Sequence, residues 1–168
     1  MITNQFQDKT LPLLGFGTMR LPLLPDGTID EAQTAEMTKL AIERGVNYFD
    51  TAWRYPGNEV AVGKFLAKGH RKELFLATKM PQYKLKKETD ADRFFSEELE
   101  RLQTDYIDYY LMHMLSDVDT FARLKELGIE EWLEEDAVCS VTWDKIKLSD
   151  EYVEKYPDLK KAFDKINE

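Results

Sequence analysis

The sequence predicts an α/β protein in which helices cover one side of a parallel β-sheet, and three observations favour this class. Short, almost wholly apolar segments alternate with longer segments of helical character. The pattern repeats about every 30–35 residues, roughly the length of one strand with its helix, and four such units fit. Polar side chains with chemical potential stand at the ends of successive apolar segments, where parallel folds keep their sites.

Four apolar segments are the predicted strands. They are bounded by glycine, proline or charged residues, and each is too short for an ordinary helix. In chain order they are LPLLGFG (11–17), VNYFD (46–50), ELFLATKMP (73–81) and YIDYYLMHM (106–114).

A helical segment follows each predicted strand. The first has Thr28 or Asp30 as its N-cap candidate and Gly45 as its stop. Its expected apolar face is Ala32, Ala35, Leu40 and Ile42. The others cover residues 58–69, 89–103 and 118–135, the last with Gly128 as a candidate break.

Composition limits the function classes. With 168 residues, 43% of them hydrophobic and 33% charged, the chain is expected to form one soluble globular domain. The net charge of −9 argues against a nucleic-acid partner. No apolar run approaches the roughly 20 residues that span a membrane. The start lacks secretory-signal features and Cys139 is the single cysteine, so we expect a cytoplasmic protein without an internal disulfide.

Asp50, Lys79 and His113 end or nearly end three successive predicted strands, and Tyr55 follows Asp50 by five residues. Because the carboxyl ends of parallel strands share one edge, these side chains are expected to meet. Each also has a structural explanation: Asp50 could cap a turn, Lys79 could be an ion-paired strand lysine, and His113 a core histidine. The convergence of all four on one rim favours a site.

The four residue types suit reduction of a carbonyl. A neighbouring lysine ammonium favours the phenolate and so makes a phenol such as Tyr55 a better proton donor. Asp50 would hold Lys79 in place. His113 could donate a hydrogen bond to the carbonyl oxygen beside the Tyr55 hydroxyl.

The segments that carry these residues resemble the aldo-keto reductase family. They are LGFGTMRLP (14–22), GVNYFDTAWRYPGNEVAVGKFL (45–66), LFLATKMP (74–81) and LQTDYIDYYLMHM (102–114). The details look closest to bacterial members that often carry a C-terminal iron–sulfur module, although the cysteines of that module are absent here. The resemblance runs from about Leu11 to about Glu135.

The resemblance implies a (β/α)8 TIM-barrel fold and NADPH-dependent reduction of an aldehyde or ketone, with no metal. The implied catalytic residues are Asp50, Tyr55, Lys79 and His113. The implied nicotinamide and ribose contacts are Gly17, Thr18, Met19 and Asp50. The resemblance also places Trp53 and Arg54 at the border of the substrate pocket, although loop packing is an equal explanation for Trp53.

The predicted organisation is a partial barrel of about four βα units at 1–135 and a divergent tail at 136–168. A full barrel needs about 250 residues, and the family's remaining cofactor contacts come from its second half. In the tail, AVCSVTW (137–143) could be a strand, with helical pieces around Pro157. Because half a barrel has two open sheet edges, a homodimer, a tail that seals one edge and a marginally folded product all remain open.

Two other functions remain open. A catalytically inactive half-barrel could keep the four residues by ancestry and bind a small molecule or a protein. A metal-dependent hydrolase using Asp50 and His113 is the weakest reading, because the sequence has only 2 histidines.

Overall fold

The computed structural model describes residues 1–6 and 9–135, and within them a four-stranded parallel sheet organises the fold. The strands are β1 (Thr3–Phe6), β2 (Lys9–Pro12), β3 (Phe16–Gly17), β4 (Tyr48–Asp50), β5 (Phe75–Met80) and β6 (Tyr109–Met112). The helices are α1 (Glu31–Glu43), α2 (Asn58–Phe65), α3 (Thr89–Leu102), α4 (Val118–Glu126) and α5 (Ile129–Glu135).

The parallel sheet has the strand order β3-β4-β5-β6, which is also the order along the chain. Each pair is parallel, with Gly17 opposite Asp50 and Lys79 opposite Leu111. Sequential parallel strands with intervening helices are one sector of a (β/α)8 barrel. The predicted partial barrel is therefore confirmed.

An antiparallel hairpin, β1–β2, precedes this sheet and was not predicted. Residues 11 and 12 pair with β1 rather than starting the first parallel strand, so β3 begins only at Phe16. The Phe6 ring contacts Tyr109, with 6.1 Å between ring centroids. The hairpin therefore packs against the parallel sheet, and the predicted strand at 11–17 was too long.

Helix α1 begins and ends where the sequence indicates, but its buried face is only partly the predicted one. Asp30 is the N-cap, and its carboxylate accepts a hydrogen bond from the Gln33 amide at 2.9 Å. Gly45 follows the helix with a φ of +85°. The buried residues are Thr34 and Thr38, whereas Leu40 is 51% exposed. The Thr38 hydroxyl donates to the Thr34 carbonyl at 2.9 Å, which lets a polar side chain be buried. Of the predicted apolar face, Ala35 and Ile42 pack against the core, whereas the prediction was wrong for Ala32 and Leu40, which are exposed.

Glycines define two features of the other helices. Gly128, at a φ of +72°, separates α4 from α5 and confirms the predicted break. Gly63 lies where α2 crosses α3, and a Cβ there would stand 2.2 Å from the Arg101 carbonyl oxygen. Only glycine permits this close approach.

The hydrophobic core lies between the outer face of the sheet and the helices. Its buried members come from strands, from helices and from the loop before β6, and burial of the strands explains why their segments are almost wholly apolar. The buried members include Phe49, Leu76, Val62, Leu102 and Ile107.

The proposed tail at 136–168, with its candidate strand and helical pieces, lies outside the described residues. Among the helices that the structure does describe, none is long and apolar enough to cross a membrane.

Candidate active site

The carboxyl edge of the sheet brings the predicted strand-end residues together. Asp50 is the last residue of β4, and Lys79 is the penultimate residue of β5. His113 follows β6 directly, and its amide donates to the Met80 carbonyl at 3.0 Å, which extends the ladder by one residue. The three side chains therefore share one edge.

Lys79 is fixed by two acceptors from the β4 end. Its ammonium donates to Asp50 Oδ1 at 2.6 Å and to the Thr51 carbonyl at 2.7 Å. Only 17% of the Lys79 side chain is exposed. These two hydrogen bonds hold the ammonium in one position. If they broke, a buried charge would be left without a partner, which is unfavourable.

Tyr55 completes the cluster from the loop after β4. The Lys79 Nζ atom lies 5.4 Å from the centroid of the Tyr55 ring. The Tyr55 and His113 rings meet edge to face, with centroids 5.8 Å apart and planes at 84°. The four side chains that the sequence singled out thus form one contiguous group.

His113 is buried with an unused ring nitrogen. It is 8% exposed, and its Nδ1 makes no hydrogen bond within the described part of the chain. Burial lowers the pKa of the imidazole, and the positive charges of Lys79 and Arg54 lower it further, against an opposing effect of Asp50. The ring is therefore neutral at pH 7 and can still donate one N–H.

The β3 end supplies an open strip beside Asp50. The buried Thr18 hydroxyl donates to the Asp50 carbonyl at 3.0 Å, and the Asn58 side-chain amide donates to the Thr18 carbonyl. Gly17 is exposed, and a Cβ there would meet nothing within 4 Å. Met19 is 61% exposed. Gly17 and Met19 therefore border open space beside the Asp50 end of the sheet.

Trp53 and Arg54 make different contacts although they are adjacent. The Trp53 indole donates to Glu97 at 2.9 Å and packs edge to face on Phe94, both on α3. The Arg54 guanidinium lies 5.4 Å from the Tyr83 ring centroid, in the loop after β5. Trp53 thus makes the packing contacts expected from the alternative explanation, loop packing. Arg54 lies at the rim of the side-chain cluster.

The structure also contains a buried pair of carboxyl groups that sequence reasoning missed. Glu98 is 0% exposed and Glu59 is 2% exposed. The Thr78 hydroxyl lies 2.8 Å from Glu59 Oε1 and 3.1 Å from Glu98 Oε1, and the Tyr110 hydroxyl donates to Glu98. A glutamate on a helix is ordinarily solvent-exposed, so no sequence signal marks either residue.

Burial keeps a proton on this pair. It raises the pKa of Glu98 well above its ordinary value, and the neighbouring Glu59 charge raises it further. Burial also raises the pKa of Glu59, against the pull of Arg101 at 3.3 Å. Arg101 also binds Glu97, which accepts the hydrogen bond from Trp53. The pair therefore connects the sheet to the loop that carries Tyr55.

Comparison with known proteins identifies the same family as the residues do. The sequence model of the Aldo/keto reductase family matches residues 13–159. This match continues past Glu135, where the sequence analysis ended the resemblance.

Curated relatives share the amino-terminal part of the chain. An aldo-keto reductase of Mycolicibacterium vanbaalenii is 36% identical over 132 residues, which cover 73% of this chain and 44% of that protein. The Schizosaccharomyces pombe protein named aldo-keto reductase yakc [NADP(+)] is 32% identical over 126 residues, 68% of this chain and 37% of its own length. The chain thus spans less than half the length of these relatives.

Solved structures agree in fold. A Pseudomonas aeruginosa protein described as an aldo-keto reductase superposes with a TM-score of 0.68 at 22% identity, over 82% of this chain and 57% of its own. A Klebsiella pneumoniae aldo-keto reductase in complex with NADPH superposes with a TM-score of 0.59 at 26% identity, over 77% of this chain and 47% of its own. The family model, the curated relatives and the fold agree: this chain belongs to the aldo/keto reductase family.

Proposed function

We propose that this protein reduces the carbonyl group of an aldehyde or ketone with NADPH. The observation that carries the proposal is the Lys79 ammonium, held 2.6 Å from Asp50 and 5.4 Å from the centre of the Tyr55 ring, with His113 against the same ring. A positioned phenol beside a fixed cation and a neutral imidazole is a proton-donating site for a carbonyl oxygen.

In this proposal each residue has a distinct role. NADPH, when bound, supplies the hydride to the carbonyl carbon. Tyr55 donates its proton to the carbonyl oxygen, and the Lys79 charge stabilises the phenolate that this leaves. The His113 imidazole donates a hydrogen bond to the same oxygen and orients it. Asp50 positions Lys79, and Tyr55 regains its proton from solvent.

The strip at the β3 end is the proposed contact for the nicotinamide and its ribose. Gly17 would permit close approach of the ring, Thr18 would fix the backbone beside Asp50, and Met19 would pack against the cofactor. Arg54 would border the substrate, and Trp53 would fix the loop between them. The fit of the open space beside Gly17 supports this assignment.

We propose further that two copies pair through open sheet edges to enclose one site, and that the protein works in the cytoplasm. The support for pairing is Leu111, which lies in register with Lys79 and is 39% exposed. The support for the cytoplasm is the single cysteine.

The second candidate is an inactive half-barrel that binds a small molecule or a protein. It would keep the fold and the side-chain cluster without a complete cofactor site. The two candidates differ in affinity for NADPH, which only the reductase must bind.

Titration with NADPH distinguishes the reductase from the inactive half-barrel. The readout is quenching of tryptophan fluorescence, measured at two protein concentrations about 50-fold apart. We expect saturable binding that is tighter at the higher concentration, because association would complete the site. Absence of binding at millimolar NADPH would exclude the reductase for this chain and leave the inactive half-barrel. Binding that does not depend on protein concentration would exclude the dimer while keeping the reductase.

A further inference from the structure

Arg54 is an exposed cation at the rim of the cluster, and no carboxylate pairs with it within the part of the chain that the structure describes. Two arginines elsewhere in the fold do have acidic partners: Arg71 pairs with Asp108 at 2.7 Å, and Arg101 with Glu59 at 3.3 Å. An arginine at a cleft without a protein anion has its planar donor fork available for a ligand.

The position of Arg54 is defined by two loops of the carboxyl edge. It belongs to the loop after β4, and its guanidinium lies 5.4 Å from the ring centroid of Tyr83, in the loop after β5. A guanidinium over an aromatic face is oriented by that face while its N–H groups stay available. The contact therefore bridges the loops above the strand ends that carry Asp50 and Lys79.

The charge of Arg54 reaches the reacting centre. Together with Lys79 it lowers the pKa of His113, so its field acts on the ring that would hold the carbonyl oxygen. Asp50 is already neutralised by Lys79 at 2.6 Å. The mouth of the site is thus locally positive although the whole chain has a net charge of −9.

Lys84 is a second cation of these loops, and it lies on Trp53, whose indole donates to Glu97. The Lys84 Nζ atom lies 4.2 Å from the Trp53 ring centroid, in the same pair of loops. Clustered cations at the mouth of an acidic protein attract anions and raise their local concentration.

We propose that the substrate is a carbonyl compound that bears a carboxylate, an oxoacid, and that Arg54 binds that carboxylate. The inference rests on the proposed reductase function and adds the class of substrate. The Arg54 charge acts on His113, and the His113 ring contacts Tyr55 at a centroid distance of 5.8 Å, so one short molecule can carry both the bound anion and the protonated carbonyl oxygen. A neutral carbonyl compound of the same length would lose the charge-assisted hydrogen bonds.

The test uses the two histidines of the chain as NMR probes that do not need turnover. His113 reports on the site, and His70, which contacts Glu73 at 2.9 Å, is the internal control. The ligands are 4-oxopentanoate, a keto acid, and its neutral methyl ester. We expect 4-oxopentanoate to shift the His113 resonances and raise the pKa of His113, while His70 stays unchanged and the ester has little effect.

Variants assign the effect to Arg54. Arg54→Met should weaken binding of 4-oxopentanoate about tenfold or more, as expected for loss of hydrogen bonds to a charged group. Arg44→Met, which removes an exposed arginine at the end of α1, should bind as the natural chain does. Arg54→Gln serves in place of Arg54→Met if the latter does not fold, as judged by circular dichroism.

The proposal is overturned if 4-oxopentanoate leaves His113 unchanged, or if Arg54→Met and Arg54→Gln bind it as tightly as the natural chain. Failure of the reductase function is read separately, from NADPH oxidation with 4-oxobutanoate and its methyl ester. If NADPH is oxidised at the same rate with the ester as with the acid, the proposal of an oxoacid substrate is wrong, but the proposed reductase function stands. The remaining outcome is a His113 response to 4-oxopentanoate that is lost in Arg54→Met, with no oxidation of NADPH by either compound. It would support the anion site and exclude the reductase function.

Discussion

At the scale of single residues, Glu98 is a buried carboxyl group whose protonation depends on its neighbours. It is fully buried beside a second carboxyl group, and hydroxyl groups of Thr78 and Tyr110 surround it. Two buried carboxyl groups in contact cannot both ionise without a large cost. Glu98 is therefore protonated in the folded chain at a pH where it ionises in the unfolded chain.

Glu98→Gln should change how stability depends on pH. The folded pKa of Glu98 is raised, so its contribution to stability is complete below its ordinary value of 4.5 and is lost as pH rises through the raised pKa. Glutamine stays neutral and keeps the hydrogen bonds. We expect urea denaturation to give equal stability near pH 4 and a more stable variant at pH 8.

Tyr110→Phe is the comparison variant, because it leaves the carboxyl group of Glu98 in place. It removes the hydroxyl that donates to Glu98 and should cost about 1 kcal/mol at neutral pH. Glu59 remains in the Glu98→Gln variant, so part of the pH dependence should persist. An unchanged slope between pH 4 and pH 8 in Glu98→Gln would contradict the shared buried proton.

Among elements, the contact between α2 and α3 is set by Gly63. A side chain at this position would meet backbone atoms of Arg101 and Leu102, the nearest at 2.2 Å, and backbone cannot move aside as a side-chain end can. The same two helices carry Glu59 and Glu98. Their close approach is therefore what brings the two carboxyl groups together.

Gly63→Ala should destabilise the fold by about 1–3 kcal/mol, the usual cost of overpacking, measured by urea denaturation. Gly17→Ala is the comparison, because a Cβ at position 17 meets nothing within 4 Å. It should leave stability nearly unchanged and weaken NADPH binding, since the added methyl would occupy the proposed nicotinamide strip. Equal loss of stability in the two variants would refute the packing argument.

At the scale of the whole molecule, residues 1–6 and 9–135 form one sector of a barrel, with the strand order β3-β4-β5-β6. Leu111 on β6 is 39% exposed although it lies in register with Lys79. In a closed barrel such positions face the filled interior. The exposure of Leu111 is the structural basis for expecting a second copy at this face.

Leu111→Glu should weaken self-association about tenfold or more, because a charge would be buried in the proposed interface. Sedimentation velocity over a range of concentrations measures the effect. Met37→Glu is the control, since Met37 is equally exposed at 39% but lies on α1. A natural chain that stays monomeric at high concentration, or equal effects of both variants, would exclude the pairing proposed here.

Several features follow from the sequence for local reasons. The four strand segments are detectable because strands buried in a parallel sheet must be apolar throughout. Asp30, Gly45 and Gly128 delimit helices through side-chain capping and left-handed backbone, which depend on neighbouring residues only.

The sequence by itself also determined which residues meet at the site. Three of them, Asp50, Lys79 and His113, lie at strand ends. Parallel pairing places the carboxyl ends of strands at one edge of the sheet, independently of the rest of the fold. Only the tertiary structure decided the burial of Thr34 and Thr38, the pairing of Glu59 with Glu98, and the split between a packed Trp53 and a rim Arg54. The physical reason is that each of these depends on which distant segment lies opposite. Helical spacing gives the direction of a side chain, but a carboxyl group stays buried only if hydroxyls from another strand are there to receive it.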